Sequence, residues 1–276
     1  MKFLSKFYIA IIFLILYAPI LVVILFSFNE SGSLSSISGF TLYWYEELFA
    51  DDEALTALKN SLILAVSSSL LATVLGTLAA FSISRAKNKY YRKIMESVSN
   101  IPMMNPDIVT GVSMMLLFVG VAQLARMGSY LGFWTMLIAH TTFNLPYVIL
   151  SVLPKFRQMD KSLTEAALDL GCTPVQTFFR VELPYIMPGV VSGLMMSFTL
   201  SLDDFVISHF VSSPDFKTLP LYIYNQTAHE VKFSMYALCT ILIFAILFLL
   251  IAVNVAGSMG EHHARKKAGK ATIGGK

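Results

Sequence analysis

The chain has 276 residues, of which 56% are hydrophobic and only 13% are charged, whereas a soluble globular domain carries about a quarter charged residues. The apolar residues come in long blocks rather than short periodic stripes, so the composition excludes an ordinary water-soluble enzyme and indicates an integral membrane protein. The net charge of +3 reflects where basic residues fall around those blocks, and it gives no reason to expect nucleic-acid binding.

Six apolar blocks are long enough to cross a bilayer, since a membrane helix needs about 20 mostly apolar residues. They lie at 7–28, 58–83, 101–123, 131–153, 186–211 and 233–256. The first block is predicted to be a retained span, because its apolar run is too long for a signal peptide and no small-residue cleavage site follows it. We therefore expect an all-α transmembrane domain over residues 1–260 and a disordered basic tail over 261–276.

The positions of Lys and Arg predict the orientation, because basic residues near the ends of spans stay on the cytoplasmic side. Sixteen of the twenty precede the first span, separate the second from the third or the fourth from the fifth, or occupy the tail. The first outer loop instead carries an acidic set: Glu30, Glu46, Glu47, Asp51, Asp52 and Glu53. Both termini are therefore predicted to be cytoplasmic. Cys172 in a cytoplasmic loop and Cys239 in a span are predicted to be free thiols.

The cytoplasmic connection at 154–185 is too long for a simple link and carries two helix start signals. Residues 162–165 (S-L-T-E) fit a capping box, which predicts a helix that begins there. It should stop at Gly171, since glycine adopts φ > 0 past a helix end without a Cβ clash. Residues 173–176 (T-P-V-Q) repeat the start signal with proline at the first helical position.

The second helix of this connection is predicted to end at Leu183 and Pro184, before the fifth span. The connection then forms a helix-turn-helix elbow on the cytoplasmic face. One interpretation is an interfacial hairpin that dips Phe178 and Phe179 into the lipid headgroups. The other is a docking site for a separate protein.

The spacing of residues in the elbow favours the docking site. The elbow resembles the coupling motif of permease subunits of bacterial ABC importers, which reads E-A-A, any three residues, G, any nine residues and I-x-L-P. The matching residues are Glu165, Ala166, Ala167, Gly171, Val181 in place of the usual Ile, Leu183 and Pro184. In that family the first short helix inserts into a groove on the ATPase subunit. The resemblance implies that Glu165, Ala166, Ala167, Gly171, Leu183 and Pro184 form an ATPase-coupling site, although Glu165 could instead serve only as a cap of its own helix.

The chain lacks the G-x-x-x-x-G-K-[ST] sequence of a phosphate-binding loop, and its five histidines are scattered. We expect no catalytic, cofactor or metal site on this chain. ATP and Mg are expected to be bound by partner ATPase subunits.

Two acidic residues inside the fifth predicted span, Asp203 and Asp204, are candidates for a substrate path together with Ser201, because ionisable residues within a span are costly. On a helix the two side chains would point about 100° apart, so one would face the path and the other a neighbouring helix. Which one faces the path stays open. A polycation would relieve the repulsion between two adjacent carboxylates. The alternative is a structural pair bonded to Ser or Thr of other helices, or to a cation of a partner subunit.

Three segments sharpen the resemblance: S-L-D-D-F-V-I-S at 201–208, L-P-L-Y-I-Y at 219–224 and N-P-D-I-V at 105–109. They are similar to the C-type permease subunits of spermidine/putrescine importers, and the likeness runs over nearly the whole chain. It implies a type I ABC importer permease fold and adds Tyr222 to the substrate path. The implied partners are a second permease, two ATPase subunits, a periplasmic polyamine-binding protein and the bacterial inner membrane.

Two alternatives to polyamine uptake remain open at this point. A permease of the same fold could carry phosphonate, an opine or ferric iron. An ion-coupled secondary carrier is disfavoured, because the sequence shows no internal repeat. Among the remaining polar residues, His140 and Asn144 are predicted to form hydrogen bonds between helices.

Overall fold

The computed structural model describes residues 2–126, 131–228, 232–248 and 251, and these residues are mostly helical. The helices are α1 (Lys2–Phe26), α2 (Tyr43–Phe49), α3 (Asp52–Arg85), α4 (Lys89–Met104), α5 (Asp107–Leu124), α6 (Phe133–Gln158), α7 (Lys161–Asp169), α8 (Pro174–Thr177), α9 (Leu183–Asp203), α10 (Val206–Val211), α11 (Leu219–Thr227) and α12 (Phe233–Phe248). A π-helical segment, Phe178–Glu182, joins α8 to α9.

Five helical stretches of the described chain are long and apolar enough to cross a membrane. They are Lys6–Phe26, α3, α5, α6 and the continuous stretch Pro174–Asp203. Each overlaps one of the first five predicted spans. Of the sixth predicted span, 233–256, the structure describes α12 and residue 251, and the rest of that span lies outside the described residues. The tail at 261–276 lies outside the described residues.

The third predicted span, 101–123, is divided between two helices. Helix α4 ends at Met104 and α5 begins at Asp107. Proline restricts the residue before it to extended conformations, and Asn105 accordingly has φ −83° and ψ 135° ahead of Pro106. The apolar block therefore begins inside a separate helix, and α5 alone is the candidate span.

The described residues form two compact units, one made of those up to 54 together with those from 225 onward, and the other of 55–224. In the described part of the first unit, the buried Asn29 organises the segment after α1. Its side chain donates to the carbonyls of Ser33 and Ser36 and accepts from the N–H of Ser38. The Trp44 indole donates to the Asn29 carbonyl at 2.8 Å. This unit contains one of the two free cysteines, Cys239.

The second unit is built around α6, whose apolar side chains lie in two clusters. One cluster combines α6 with the C-terminal half of α3 and with Ile186 of α9, and the other combines it with Leu64 of α3 and with α10. Because Ile186 starts α9 and meets the end of α3, the two helices run antiparallel. Helix α9 approaches α6 closely at Gly189, where an added Cβ would lie 2.8 Å from the Ser151 carbonyl oxygen.

Candidate functional site

The elbow begins with α7, and the N-terminus of this helix differs from the prediction. Ser162 is not the cap: the helix begins at Lys161, and Asp160 is the capping residue. The Asp160 carboxylate accepts a hydrogen bond from the backbone N–H of Ser162 at 3.0 Å, and this bond lowers the pKa of Asp160. Since a carboxylate two residues earlier already satisfies this free N–H group, Ser162 becomes part of the helix.

Helix α7 has a packed face and an exposed face. Thr164 and Ala167 are buried, whereas Glu165 and Ala166 are exposed. Residues three and four apart are neighbours on a helix, so Ala166 lies on one face with Leu163 and Leu170, and these two leucines are 45% and 86% exposed. Of the predicted coupling residues, Glu165 and Ala166 are therefore accessible, and Ala167 holds the helix in place.

Gly171 ends α7 as predicted. Its φ is +85°, and its N–H donates to the Leu168 carbonyl at 2.9 Å. The N–H of Cys172 donates to the Ala167 carbonyl at 3.1 Å, which completes a Schellman motif. No described atom lies within 4 Å of the place that a Cβ would take. The backbone conformation alone favours glycine here.

The second start signal of the elbow is confirmed, but its predicted end is wrong. The Thr173 hydroxyl accepts from the Gln176 N–H at 3.3 Å, and the Gln176 side chain accepts from the Thr173 N–H at 3.0 Å. The helix does not stop at Leu183 and Pro184, because it continues through the π-helical segment into α9. The Leu183 N–H bonds the carbonyl of Phe178, five residues earlier, and Pro184 falls in the first turn of α9, where its missing N–H is tolerated.

The two phenylalanines of the elbow have different environments. Phe178 packs against Phe81 of α3, with 5.0 Å between the ring centroids, and it adjoins the apolar cluster that contains Ile186. Phe179 is 60% exposed. The interfacial interpretation therefore fails for Phe178, which attaches the elbow to its own chain.

The sequence predicts both aspartates on one helix, and this prediction is wrong. Helix α9 ends at Asp203, Asp204 is extended with φ −67° and ψ 116°, and α10 begins at Val206. The Asp204 carboxylate accepts from the backbone N–H groups of Ile207 at 3.2 Å and Ser208 at 2.8 Å. Aspartate competes for backbone donors in this way at helix starts, so it breaks the predicted span 186–211.

A buried polar network surrounds Asp204. The Nε2 atom of His140 lies 3.4 Å from its Oδ2 atom and 3.2 Å from the Ser208 hydroxyl. The Nδ1 atom of His140 lies 2.8 Å from the Ser201 hydroxyl, which in turn lies 2.8 Å from that of Ser68. The network therefore joins α3, α6, α9 and α10. Interhelical bonding is confirmed for His140, whereas the buried Asn144 side chain has no hydrogen-bond partner among the described residues.

The predicted path residues differ in exposure. Asp203 is exposed, Asp204 is nearly buried, and both Ser201 and Tyr222 are buried within the second unit. Near Asp203 in the chain, the Phe205 ring lies 4.6 Å from that of Tyr224, which is 50% exposed. The exposed carboxylate of this segment is thus that of Asp203, and the ring pair of Phe205 and Tyr224 begins two residues later in the chain.

The sequence does not predict the roles of two residues, Ser68 in the polar network and Glu182 in the elbow. Ser68 gave no signal, since a serine in a span is ordinary. Glu182 is fully buried and forms an ion pair with Arg85. An acidic residue within an apolar stretch is a signal that could have drawn attention to it. In the described part of the chain, no three His, Cys, Asp or Glu side chains converge as a metal site would require.

Comparison with known proteins places the chain in a family. Residues 72–258 match the binding-protein-dependent transport system inner membrane component, a stretch that includes the elbow and both aspartates. The chain is 38% identical over 234 residues to the putrescine transport system permease protein PotI of Escherichia coli K12, covering 85% of this chain and 83% of that protein. It is 36% identical over 260 residues to the spermidine/putrescine transport system permease protein PotC of Haemophilus influenzae, covering 94% and 98%.

Solved structures support the fold. A chain from the crystal structure of a bacterial ABC transporter involved in the import of the acidic polysaccharide alginate superposes with a TM-score of 0.70 at 14% identity, covering 93% of this chain and 95% of that chain. At this identity the likeness concerns the fold alone. It confirms the predicted all-α fold of type I ABC importer permeases. The chain belongs to the family of binding-protein-dependent transport system inner membrane components.

Proposed function

We propose that this chain is the membrane-spanning permease subunit of an ATP-driven ABC importer that carries the polyamines spermidine or putrescine into the bacterial cytoplasm. The observation that carries the proposal is 36–38% identity to permeases named for these substrates, spread over 83–98% of their length. The basic connections support an orientation in the inner membrane with both termini in the cytoplasm.

The elbow is the proposed attachment for the ATPase. Its exposed face combines the small Ala166 with Leu163 and Leu170, which suits insertion into an apolar groove of a partner. Glu165 lies exposed beside this face and is free to meet a basic group of the ATPase. Thr164 and Ala167 are buried, so a displacement of α7 should also displace the residues against which it packs.

Asp203 is the proposed contact for the cationic substrate. Its exposure supports this role, whereas the Asp204 oxygens already accept two backbone hydrogen bonds. Cations also bind at aromatic faces, and Phe205, two residues after Asp203 in the chain, packs its ring against that of Tyr224. Ser201 and Tyr222 would support the path from the interior, Ser201 through its bond to His140.

The proposed assembly contains a second permease, two ATPase subunits and a periplasmic polyamine-binding protein. The two permeases would enclose the path, and the binding protein would deliver the polyamine to its outer end. ATP and Mg would be bound by the ATPase subunits, with no cofactor on this chain.

Purification of the tagged chain from its native membranes tests the proposal. An ATPase and a second permease should copurify, and the complex in proteoliposomes, supplied with its binding protein, should take up radiolabelled spermidine or putrescine only with internal ATP. Uptake driven by an ion gradient without ATP would contradict the importer mechanism. ATP-dependent uptake of phosphonate, an opine or ferric iron, with none of either polyamine, would contradict the substrate class.

A further inference from the structure

Glu182 is a buried carboxylate in a part of the chain that otherwise packs through apolar side chains. It is the last residue of the π-helical segment and has 0% of its surface exposed. Removing a carboxylate from water is costly, so a residue of this kind persists only where other groups compensate its charge.

Two groups from two other helices compensate Glu182. The guanidinium of Arg85, the last residue of α3, forms an ion pair with its Oε1 atom. The hydroxyl of Thr164 in α7 donates to the same oxygen at 3.2 Å. The Arg85 guanidinium also lies over the Phe81 ring, 5.3 Å from its centroid, which holds it at the end of α3. One carboxylate therefore ties together α3, α7 and the start of α9.

The arrangement is not one that maximises stability. The second carboxylate oxygen, Oε2, is buried without a hydrogen-bond donor among the described residues. Apolar residues of similar volume often replace a buried ion pair without loss of stability. The π-helical turn that carries Glu182 is also a rare conformation that is common at functional sites. These features indicate that the pair serves a mechanical role.

The position of the pair suggests what it transmits. From Glu182 the chain continues as α9 to Asp203, about 32 Å away at 1.5 Å per residue. From Arg85, α3 runs back in the same direction, and its Ser68 meets Ser201 of α9 at 2.8 Å. The C-terminal half of α3 is thus joined to α9 at two points, by the ion pair at the elbow and by the serine pair near the aspartates.

We propose that Arg85 and Glu182 are positioning residues that make α3 and α9 follow α7 as one body, so that closure of the ATPases reaches the substrate path. Thr164 is the contact through which α7 engages the pair. This inference rests on the proposed function, since it assumes that α7 receives the motion of an ATPase.

The test measures uptake and ATP hydrolysis together in proteoliposomes that contain the whole complex and its binding protein. Glu182→Gln keeps the size of the side chain and an acceptor for Thr164 but removes the charge. We expect uptake per ATP hydrolysed to fall by about fivefold or more, while ATP hydrolysis is retained. The double variant with Arg85→Gln should be no worse than either single variant, because the two residues act as one unit.

Glu96→Gln is the matched control, because it breaks an ion pair between α4 and Arg157 of α6 that does not involve α7. It should leave uptake per ATP unchanged. Thr164→Val is the second variant, which leaves the ion pair in place and removes only the hydrogen bond from α7. It should also lower uptake per ATP, and it keeps the test decisive if Glu182→Gln fails to assemble.

An unchanged ratio of uptake to hydrolysis in the assembled variants would overturn the inference. This includes a proportional fall in uptake and in ATP hydrolysis, which is the result expected of a merely structural role. If the wild-type complex shows no ATP-dependent uptake, the proposed function fails instead, so the two failures are distinguishable.

Discussion

The Oδ2 atom of Asp204 accepts a hydrogen bond from the backbone N–H of Ser208 at 2.8 Å, and this bond fixes the start of α10. Asp204→Ala removes it together with the bond from Ile207. We expect a loss of about 1–2 kcal/mol in the free energy of unfolding, the usual range for removal of a helix cap. Asp204→Asn should lose less, because an amide oxygen still accepts a bond. Thermal unfolding of the purified complex measures both, and equal midpoints for the Ala variant and the wild type would contradict the capping role.

Substitution of the neighbouring Asp203 should affect transport rather than stability. Asp203→Asn removes the charge that we propose to meet the ammonium groups of the substrate. A hydrogen bond to a charged group contributes about 1.5–3 kcal/mol, so the spermidine concentration for half-maximal uptake should rise by about tenfold or more. Asp215→Asn is the control, since Asp215 is another exposed aspartate of the same unit. Equal uptake curves for the two variants would exclude Asp203 from the path.

The features of the elbow that could be predicted depend on residues close together in the chain. Gly171 ends α7, and Thr173 and Gln176 cap each other, through bonds that span five residues or fewer. The wrong prediction of Ser162 as the cap of α7 also concerns residues close together in the chain. Asp160 is an equally good cap two residues earlier, and the sequence pattern alone does not say which of two adjacent caps forms.

The features that could not be predicted depend on distant parts of the chain. Glu182 and Arg85 are 97 residues apart, and Ser201 and Ser68 are 133 apart. The break at Asp204 is different, because its carboxylate accepts from N–H groups only three and four residues later, and only its contact with His140 is distant. The hydropathy of a long apolar run does not register one such local cap. Hydropathy therefore located the span but not the interruption that leaves Asp203 exposed at its end.

Gly171→Ala should destabilise the elbow by about 1 kcal/mol, because a residue with a Cβ is strained at a φ of +85°. The surrounding space is open, so a clash with neighbouring side chains does not contribute. Gly171→Asn should be milder, since asparagine adopts this conformation more readily. The thermal midpoint and the amount of ATPase that copurifies are the measurements. An alanine variant that is as stable as the wild type would show that the turn is not constrained as described.

Gly189→Ala should destabilise the packing of α9 on α6. A Cβ at Gly189 would lie 2.7 Å from Cγ of Lys155 and 2.8 Å from the Ser151 carbonyl oxygen, and the backbone atom cannot move aside without shifting the helix. Overpacking of this kind costs about 1–3 kcal/mol. Gly120→Ala in α5 is the matched control, because no described atom lies within 4 Å of its added Cβ, and it should be neutral or slightly stabilising. Similar unfolding midpoints for the two variants would contradict the close approach.

The cap of α7 should respond to acid. The bond from the Ser162 N–H lowers the pKa of Asp160, so the ionised carboxylate is the form that stabilises the folded helix. A group with a lowered pKa contributes its stability above its ordinary pKa and loses it as the pH falls through the folded value. The cap should therefore be intact at pH 5 and above and weaken below about pH 4. Hydrogen exchange of peptides covering residues 161–171, corrected for intrinsic rates, should show reduced protection between pH 5 and pH 3. Asp160→Asn removes the titrating group, so its protection should stay constant over that interval, and a wild-type profile equally flat would contradict the role of the carboxylate.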